Sequence, residues 1–436
     1  MTPAGRRRTG PPLLELAMML AVLASTGWTI RHLLVEGFLP QPFVFDTNDT
    51  FMDWFNTAYW ANHPGAYDVW RSIYPPLSFV FLRLFSLSDC YVASPFAARD
   101  CDWLGQTTIA LCYGLDIVVA GLAFYRSDRR TALPRTLAFS FGLPLLFTLE
   151  RGNLILVCFI FFAIAHAPIT RSRMMQALAT ALTINFKPYL LLPALAQGVR
   201  REWRPLELAG LATIAVYLVT LALVGAGSIG ELVSNTTNWV TFVGGQVWNE
   251  INYSTSYAPF LMLDKTGVPL LDFVPSRIVE GVETFVPLAI RSTQIVALAC
   301  LGAAALRPKA LSHARIAAVM LGAYLVTQSP GGYTQAFLVF LVLLEPARGI
   351  GSRIAVLLSY TLLLAGDRMV APILRINSES WLGGHPVTPE FGLTIGHFLR
   401  PGIIILIVWV LSLDGVAQVL GTFRHHARPR TTGAPA

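Results

Sequence analysis

Residues 45–76 read FDTNDTFMDWFNTAYWANHPGAYDVWRSIYPP. Asp46, Asp49 and Asp53 stand beside Trp54, Phe55, Tyr59 and Trp60, directly after the first long apolar run. Carboxylates at the mouth of a membrane span need a use, and this stretch reads as the acidic half of a site held over the bilayer surface. Asp49 and Asp53 are four residues apart, so on a helix they share a face. Asn48 or Asp49 suits the N-cap of that helix. The aromatic residues make it amphipathic and turn its carboxylates toward a pocket rather than bulk water. Tyr74-Pro75-Pro76 closes the stretch, and its prolines fix the direction in which the chain enters the next helix.

The composition around this stretch is that of a membrane protein. Of 436 residues, 54% are hydrophobic and 13% charged, against about 25% charged in soluble proteins. This excludes a large soluble domain and implies an all-α polytopic membrane protein. At about 20 apolar residues per crossing, the chain has room for about 12 transmembrane helices, short hairpins included. The net charge of +7 does not point to nucleic acid. Lys and Arg collect in short loops between apolar runs, as positive-inside sorting requires.

Basic clusters recur at 6–8, 126–135, 171–173, 200–204, 307–315, 348–353 and 424–430. Placing them all in the cytoplasm orders the chain. A first span near 13–34 leads outward. Its apolar run is longer than a signal peptide's and no small-residue cleavage site follows, so it is read as retained. A span near 105–125 returns. The apolar piece at 77–88 is too short to cross and is expected at the outer interface. The stretches 136–170, 174–199 and 314–347 each begin and end at a basic cluster, so each is a hairpin. Their turns fall at Glu150-Arg151-Gly152-Asn153, Asn185-Phe186-Lys187-Pro188 and Ser329-Pro330-Gly331-Gly332-Tyr333. The middle hairpin has about 26 residues for two legs, too few for either to cross a ~30 Å core. Its tip is expected inside the membrane, where irregular backbone must be buried or line a wet cavity.

Single spans near 207–226, 284–306, 353–366 and 396–413 complete the count, with outer loops at 227–283 and 367–395. Residues 1–423 read as one domain and 424–436 as a basic, disordered cytoplasmic tail. Cys112, Cys158 and Cys300 sit inside apolar runs as packing residues. Cys90 and Cys101 flank an outer loop and are either a disulfide or two free thiols.

Ionisable side chains at membrane depth mark functional sites. Arg151 and Lys187, at hairpin turns, are the leading cations for a phosphate or pyrophosphate. Arg151 has the alternative of snorkelling to the interface with Glu150 as its partner. Arg291 and Arg400, near the outer ends of their spans, come behind them. His385 and His397, in or beside the last outer loop, read as structural rather than catalytic. Asp46 and His397 are placed among the substrate-contacting residues. No Gly-rich phosphate loop, HExxH, paired-Cys motif or nucleophile elbow occurs, so neither cofactor nor metal is expected.

Together these pieces resemble the GT-C superfamily of integral membrane glycosyltransferases, nearest to the bacterial polyprenyl-phosphate-mannose-dependent mannosyltransferases. That family has an Asp and an aromatic run after the first span, similar to Asp49 or Asp53 with residues 54–60 here. Its Tyr-Pro-Pro is matched by Tyr74-Pro75-Pro76, its Lys-Pro by Lys187-Pro188 and its Ser-Pro by Ser329-Pro330. Its Gly-Gln-x-Asn turn resembles Arg151-Gly152-Asn153. Two positions depart: the turn's Gln is absent, and a His common after the Ser-Pro is replaced by Tyr333, Thr334 and Gln335.

The resemblance implies inverting transfer of a hexose such as mannose from a polyprenyl-phosphate donor to a lipid-linked or glycan acceptor. The reaction would face the periplasm or exterior of the cell membrane. Asp53 or Asp49 would take the acceptor's proton, and Lys187 and Arg151 would meet the departing phosphate. Tyr74, Asn153, Tyr333 and Gln335 would contact substrate. The same residues also suit a polyprenyl-diphosphate-dependent polysaccharide polymerase or ligase. A lipid-linked sugar flippase or transporter is a further alternative, although no inverted repeat is visible.

Overall fold

Helix boundaries follow the apolar runs and the capping residues between them. The computed structural model describes residues 13–43, 47–225, 227–241, 252–261, 275–328, 330–346, 349–380 and 382–426. After α1 (Leu13–Glu36) comes a docked outer unit. It holds a 3-10 turn at Thr47–Asp49, then α2 (Met52–Asn62), α3 (Pro76–Leu84) and α4 (Pro95–Cys101). Phe79 and Leu82 of α3 are fully buried, so this helix docks one face against its neighbours rather than only resting on a lipid surface. Asp102 caps α5 (Trp103–Ser127) at the Gly105 N–H, 3.0 Å away, and accepts the Tyr91 hydroxyl at 2.7 Å. Of the two alternatives for the outer cysteines, the disulfide is present, with Cα atoms of Cys90 and Cys101 5.6 Å apart.

Three hairpins follow the basic clusters. The first has α6 (Ala132–Ser140) and α7 (Leu143–Arg151), broken at Gly142, and returns through α8 (Ile155–His166). The second has α9 (Arg173–Phe186) and a return leg with α10 (Leu191–Ala194) and α11 (Ala196–Val199). Next come α12 (Trp203–Val224), α13 (Ile229–Thr241) and α14 (Ser276–Leu306). The third hairpin pairs α15 (His313–Thr327) with α16 (Gln335–Leu344). The helix α17 (Ile350–Leu362) precedes the last outer segment. The three short cysteines of the apolar runs, Cys112, Cys158 and Cys300, are buried free thiols, as packing residues should be.

Among the described residues six segments are long and apolar enough to cross a membrane: Leu13–Glu36, Trp103–Ser127, Ala132–Arg151, Trp203–Val224, Ser276–Leu306 and Ile395–Phe423. The other apolar helices are shorter, 10–17 residues, or about 15–25 Å at 1.5 Å per residue. The chain is therefore a mostly helical membrane protein built from long spans and short hairpin legs. All ten residues of α16 are buried, the mark of a helix surrounded by protein on every side. Phe124, Phe139, Phe159 and Phe162 of the surrounding helices interlock with its own Phe337 and Phe340, with ring centroids 4.7–6.2 Å apart in the pairs that touch.

The outer segment at 367–395 departs from a purely helical chain. It forms a ribbon in which β1 (Met369–Arg375) pairs antiparallel with β4 (Glu390–Thr394), and β2 (Ser378–Glu379) pairs with β3 (Pro386–Val387). Gly383 and Gly384, both at positive φ, make the turn at its tip. The last helix, α18 (Ile395–His426), starts directly at the end of β4.

Among the described residues, the basic clusters at 126–135 and 200–204 are tied to neighbouring loops and helix ends by side-chain bonds to backbone carbonyls. Arg126 donates to Pro168, Ser127 to Leu344, Arg200 to Leu311 and Arg201 to Ala305. Two buried networks add to these ties. Arg135 makes a two-pronged pair with Glu15 at 2.8 Å, and Tyr360 donates to the same carboxylate. Arg315 joins Glu345, Asp414 at 2.8 Å and Ser352 at 2.6 Å. Arg135 and Glu15 are only 2% and 7% exposed, so removing one partner strands a buried charge. Arg135→Leu is predicted to cost about 3–5 kcal/mol, read as a lowered thermal unfolding midpoint in detergent. Adding Glu15→Gln should recover part of the loss, and an unchanged midpoint in the single variant would refute the lock.

Candidate functional site

The sequence places Asp49 and Asp53 on one helix, but the chain breaks between them. Phe51 adopts a left-handed conformation (φ 61) and stands as the N-cap of α2 without a side-chain cap. Neither Asn48 nor Asp49 caps the helix, because both lie before this break. Phe51 is held there by its N–H, which donates to the Glu150 carbonyl at 2.9 Å. Facing it, Gly152 is also left-handed (φ 59), and a Cβ on it would meet the Phe51 Cα at 3.1 Å.

That glycine ends α7 in a Schellman motif. The Gly152 N–H bonds the Leu149 carbonyl at 2.9 Å and the Asn153 N–H bonds the Thr148 carbonyl at 3.0 Å, the paired pattern of such caps. The cap turns the Arg151 and Asn153 side chains toward the outer unit. Asn153 accepts the Ile155 N–H on its side-chain oxygen at 3.0 Å, which leaves its NH2 to donate to Asp53 Oδ2 at 2.6 Å. Arg151 reaches Asp53 Oδ1 through Nη2 at 2.5 Å and Nε at 3.2 Å. Its Nη1 bonds the Asp49 carboxylate and, at 3.4 Å, the Asp49 carbonyl. One guanidinium therefore joins both carboxylates, and the alternative of a snorkelling Arg151 paired with Glu150 gives way to this bridge.

Lys187 approaches from the tip of the second hairpin. Its N–H closes α9 on the Thr183 carbonyl at 3.0 Å. Its ammonium lies 4.5 Å from the centroid of the Tyr74 ring, a cation–π contact. Among the described residues Lys187 forms no ion pair. Burial, together with the Asp53 charge, holds the Tyr74 phenol above the ordinary range. It stays protonated at neutral pH.

The structure thus brings together Asp49, Asp53, Tyr74, Arg151, Asn153 and Lys187 from three segments distant in sequence. Asp46 lies outside the described residues. Arg291 is exposed on α14 and has no ion pair among the described residues. Tyr333 stacks on Phe147 at 6.1 Å, and Phe147 packs on Tyr253 at 4.7 Å. Gln335 is buried and donates to the Ser254 carbonyl at 3.4 Å. Arg400 pairs with Asp367 at 2.9 Å and lies over Tyr253 at 5.3 Å, in a separate cluster with His397. Tyr189, which carried no sequence signal beyond following Lys187-Pro188, stacks on Tyr324 with ring centroids 5.5 Å apart.

A cavity of about 640 Å³ lies between the outer end of α1 and the ribbon, lined by Trp28, His32, Gln41, Asp367, His385 and Thr394 among others. None of Asp49, Asp53, Arg151 or Lys187 lines it. The ribbon nevertheless touches the acidic turn: Thr47 bonds Ser378 at 2.8 Å. Among the described residues no cluster of metal-ligating side chains occurs.

No family model matches the chain, and no curated protein and no solved structure matches it either. The site's chemistry must carry the functional argument alone. A side chain at position 152 tests the geometry. Gly152→Ala is predicted to destabilise the protein by about 1–2 kcal/mol, since a left-handed non-glycine residue costs that much before any contact is counted. The readout is thermal unfolding in detergent, and an unchanged midpoint would contradict the close approach to Phe51.

Proposed function

We propose that the chain is an integral membrane glycosyltransferase that moves a hexose from a polyprenyl-phosphate donor to a lipid-linked or glycan acceptor. One observation carries this reading: a carboxylate with an open acceptor position and an ammonium without an ion pair among the described residues stand on either side of one tyrosine. Three of roughly four acceptor positions on Asp53 are taken by Arg151 and Asn153. The remaining one, on Oδ2, can accept the proton of an attacking hydroxyl. Asp53 is 18% exposed and Asp49 40%, so the better-held Asp53 is assigned as general base. Asp49 is assigned to hold Arg151.

In the reaction, the acceptor oxygen forms a bond to the anomeric carbon as its proton passes to Asp53. The bond from that carbon to the phosphate oxygen breaks on the opposite face, which inverts the configuration. The leaving lipid phosphate gains negative charge, and Lys187 meets it. Arg151 was expected to share this task, but four of its five N–H donors already serve Asp49 and Asp53. It is assigned to positioning instead. The site would face the periplasm or exterior, opposite the basic end. Six long spans and six shorter helical legs would give the twelve passes.

Asp53→Asn is predicted to lower transfer by about 10²–10⁴-fold, the usual worth of a positioned general base. Lys187→Ala should lower it by about 10²–10³-fold, while Asp49→Asn keeps more activity than either. The assay is sugar transfer by membranes given mono- or diphosphate polyprenyl donors, with expression matched. Full activity in Asp53→Asn would sink the assignment, and activity with diphosphate donors alone would favour a polymerase or ligase.

A further inference from the structure

A second cavity, of about 430 Å³, lies where α9, the return leg of the second hairpin and α12 meet. The transfer scheme makes no use of it. Arg173, Arg201 and Arg204 line it, with Glu202 and Trp203 beside them. Among the described residues none of these three arginines forms an ion pair. Glu202 is already engaged with Arg200 Nε at 2.9 Å, and Glu207, one turn further along α12, does not line the cavity. Three positive charges are thus left without a counter-charge. Two helices also begin at the wall, α9 at Arg173 and α12 at Trp203, and their positive poles add to the same field.

Arg201 is held there against the usual preference of the backbone. The return leg ends in a Schellman motif. The Arg201 N–H bonds the Gly198 carbonyl at 2.9 Å and the Glu202 N–H bonds the Gln197 carbonyl at 2.8 Å. The left-handed position of such a cap is ordinarily glycine, which has no Cβ to crowd the backbone. Here it is an arginine with φ 59. A strained residue that the cap itself does not require points to a use for its side chain. That side chain gives one N–H to the Ala305 carbonyl at 3.2 Å, and a guanidinium has four more.

The helices that wall the cavity are faced for lipid. Of the 22 residues of α12 only Ala209 and Thr220 are buried. Leu211, Ile214 and Leu218 of α12, with Met174 and Met175 of α9, are 54–69% exposed, a surface fit for acyl chains. Trp203, 56% exposed at the start of the span, suits the level of the headgroups. A soluble anion would use the charges alone, whereas a phospholipid uses the charges and the apolar flank together. We propose that Arg173, Arg201 and Arg204 form a site for the phosphate of an anionic phospholipid whose acyl chains lie along α9 and α12. The proposal does not depend on the transfer scheme, since none of that scheme's residues lines this cavity.

Calorimetric titration of the full chain in a neutral detergent tests this. Dioctanoyl phosphatidylglycerol is the probe. Dioctanoyl phosphatidylcholine, with the same tails and no net charge, is one comparison and inorganic phosphate the other. Saturable binding of phosphatidylglycerol is expected, at least tenfold tighter than that of phosphatidylcholine, with none of inorganic phosphate. One basic residue beside an anionic headgroup is worth about fivefold in affinity, so Arg201→Gly and Arg204→Gln should each weaken binding by about that factor. Glycine suits the left-handed cap, so Arg201→Gly should keep the lipid-free thermal midpoint while losing affinity, which separates a lost site from a lost fold. Four outcomes overturn the proposal: no saturable binding, equal binding of the two lipids, inorganic phosphate bound as tightly as phosphatidylglycerol, or affinity unchanged in both variants.

Discussion

The Arg151 guanidinium is the constraint on which the outer half of the molecule depends. It ties a turn at position 49 and a helix at position 53 to the cap of a hairpin about a hundred residues later. Without it, two carboxylates would face each other beside apolar helices, and their repulsion would spread the site. With it, the outer unit is fastened to the bundle by charge and by the Phe51–Glu150 backbone bond. The positive φ values of Phe51 and Gly152 belong to the same constraint. Each lets the backbone turn sharply where the two segments press together.

Charge is distributed with the same economy elsewhere. At the basic end, Arg135 and Arg315 are enclosed by carboxylates and carbonyls, and their role is mechanical. At the opposite end the pairing is incomplete: among the described residues Lys187 lacks a carboxylate of its own and Arg400 Nη1 has no hydrogen-bond partner. Saturated networks hold, whereas unsaturated ones are fit to bind. Phe147 stands between them in an aromatic stack with Tyr333 and Tyr253.

Much of this was legible in the residues. Spans and hairpins are local free-energy statements, written in the lengths of apolar runs and the arginines between them, and the helices fall close to those limits. Arg151 and Lys187 stood out because cations at hairpin turns are costly. Their partners did not stand out, since pairing through space across a hundred residues leaves no local mark. The break at Phe51 was invisible, because nothing about a phenylalanine announces a left-handed backbone. The ribbon was missed although Gly383-Gly384 punctuates it, as its strands lack clean alternation. The Asp367 pair was missed too, and Arg400 was read alone rather than with its carboxylate.

The ten-residue helix α16 has a consequence for how the protein is made. It is apolar on every face yet too short to be held by lipid alone, and its buried surface exists only once α5, α6 and α8 surround it. Such a segment cannot settle one helix at a time as it leaves the ribosome. The centre of the finished molecule thus owes its packing to helices laid down earlier in the chain, and a fault in the amino-terminal half would be felt there.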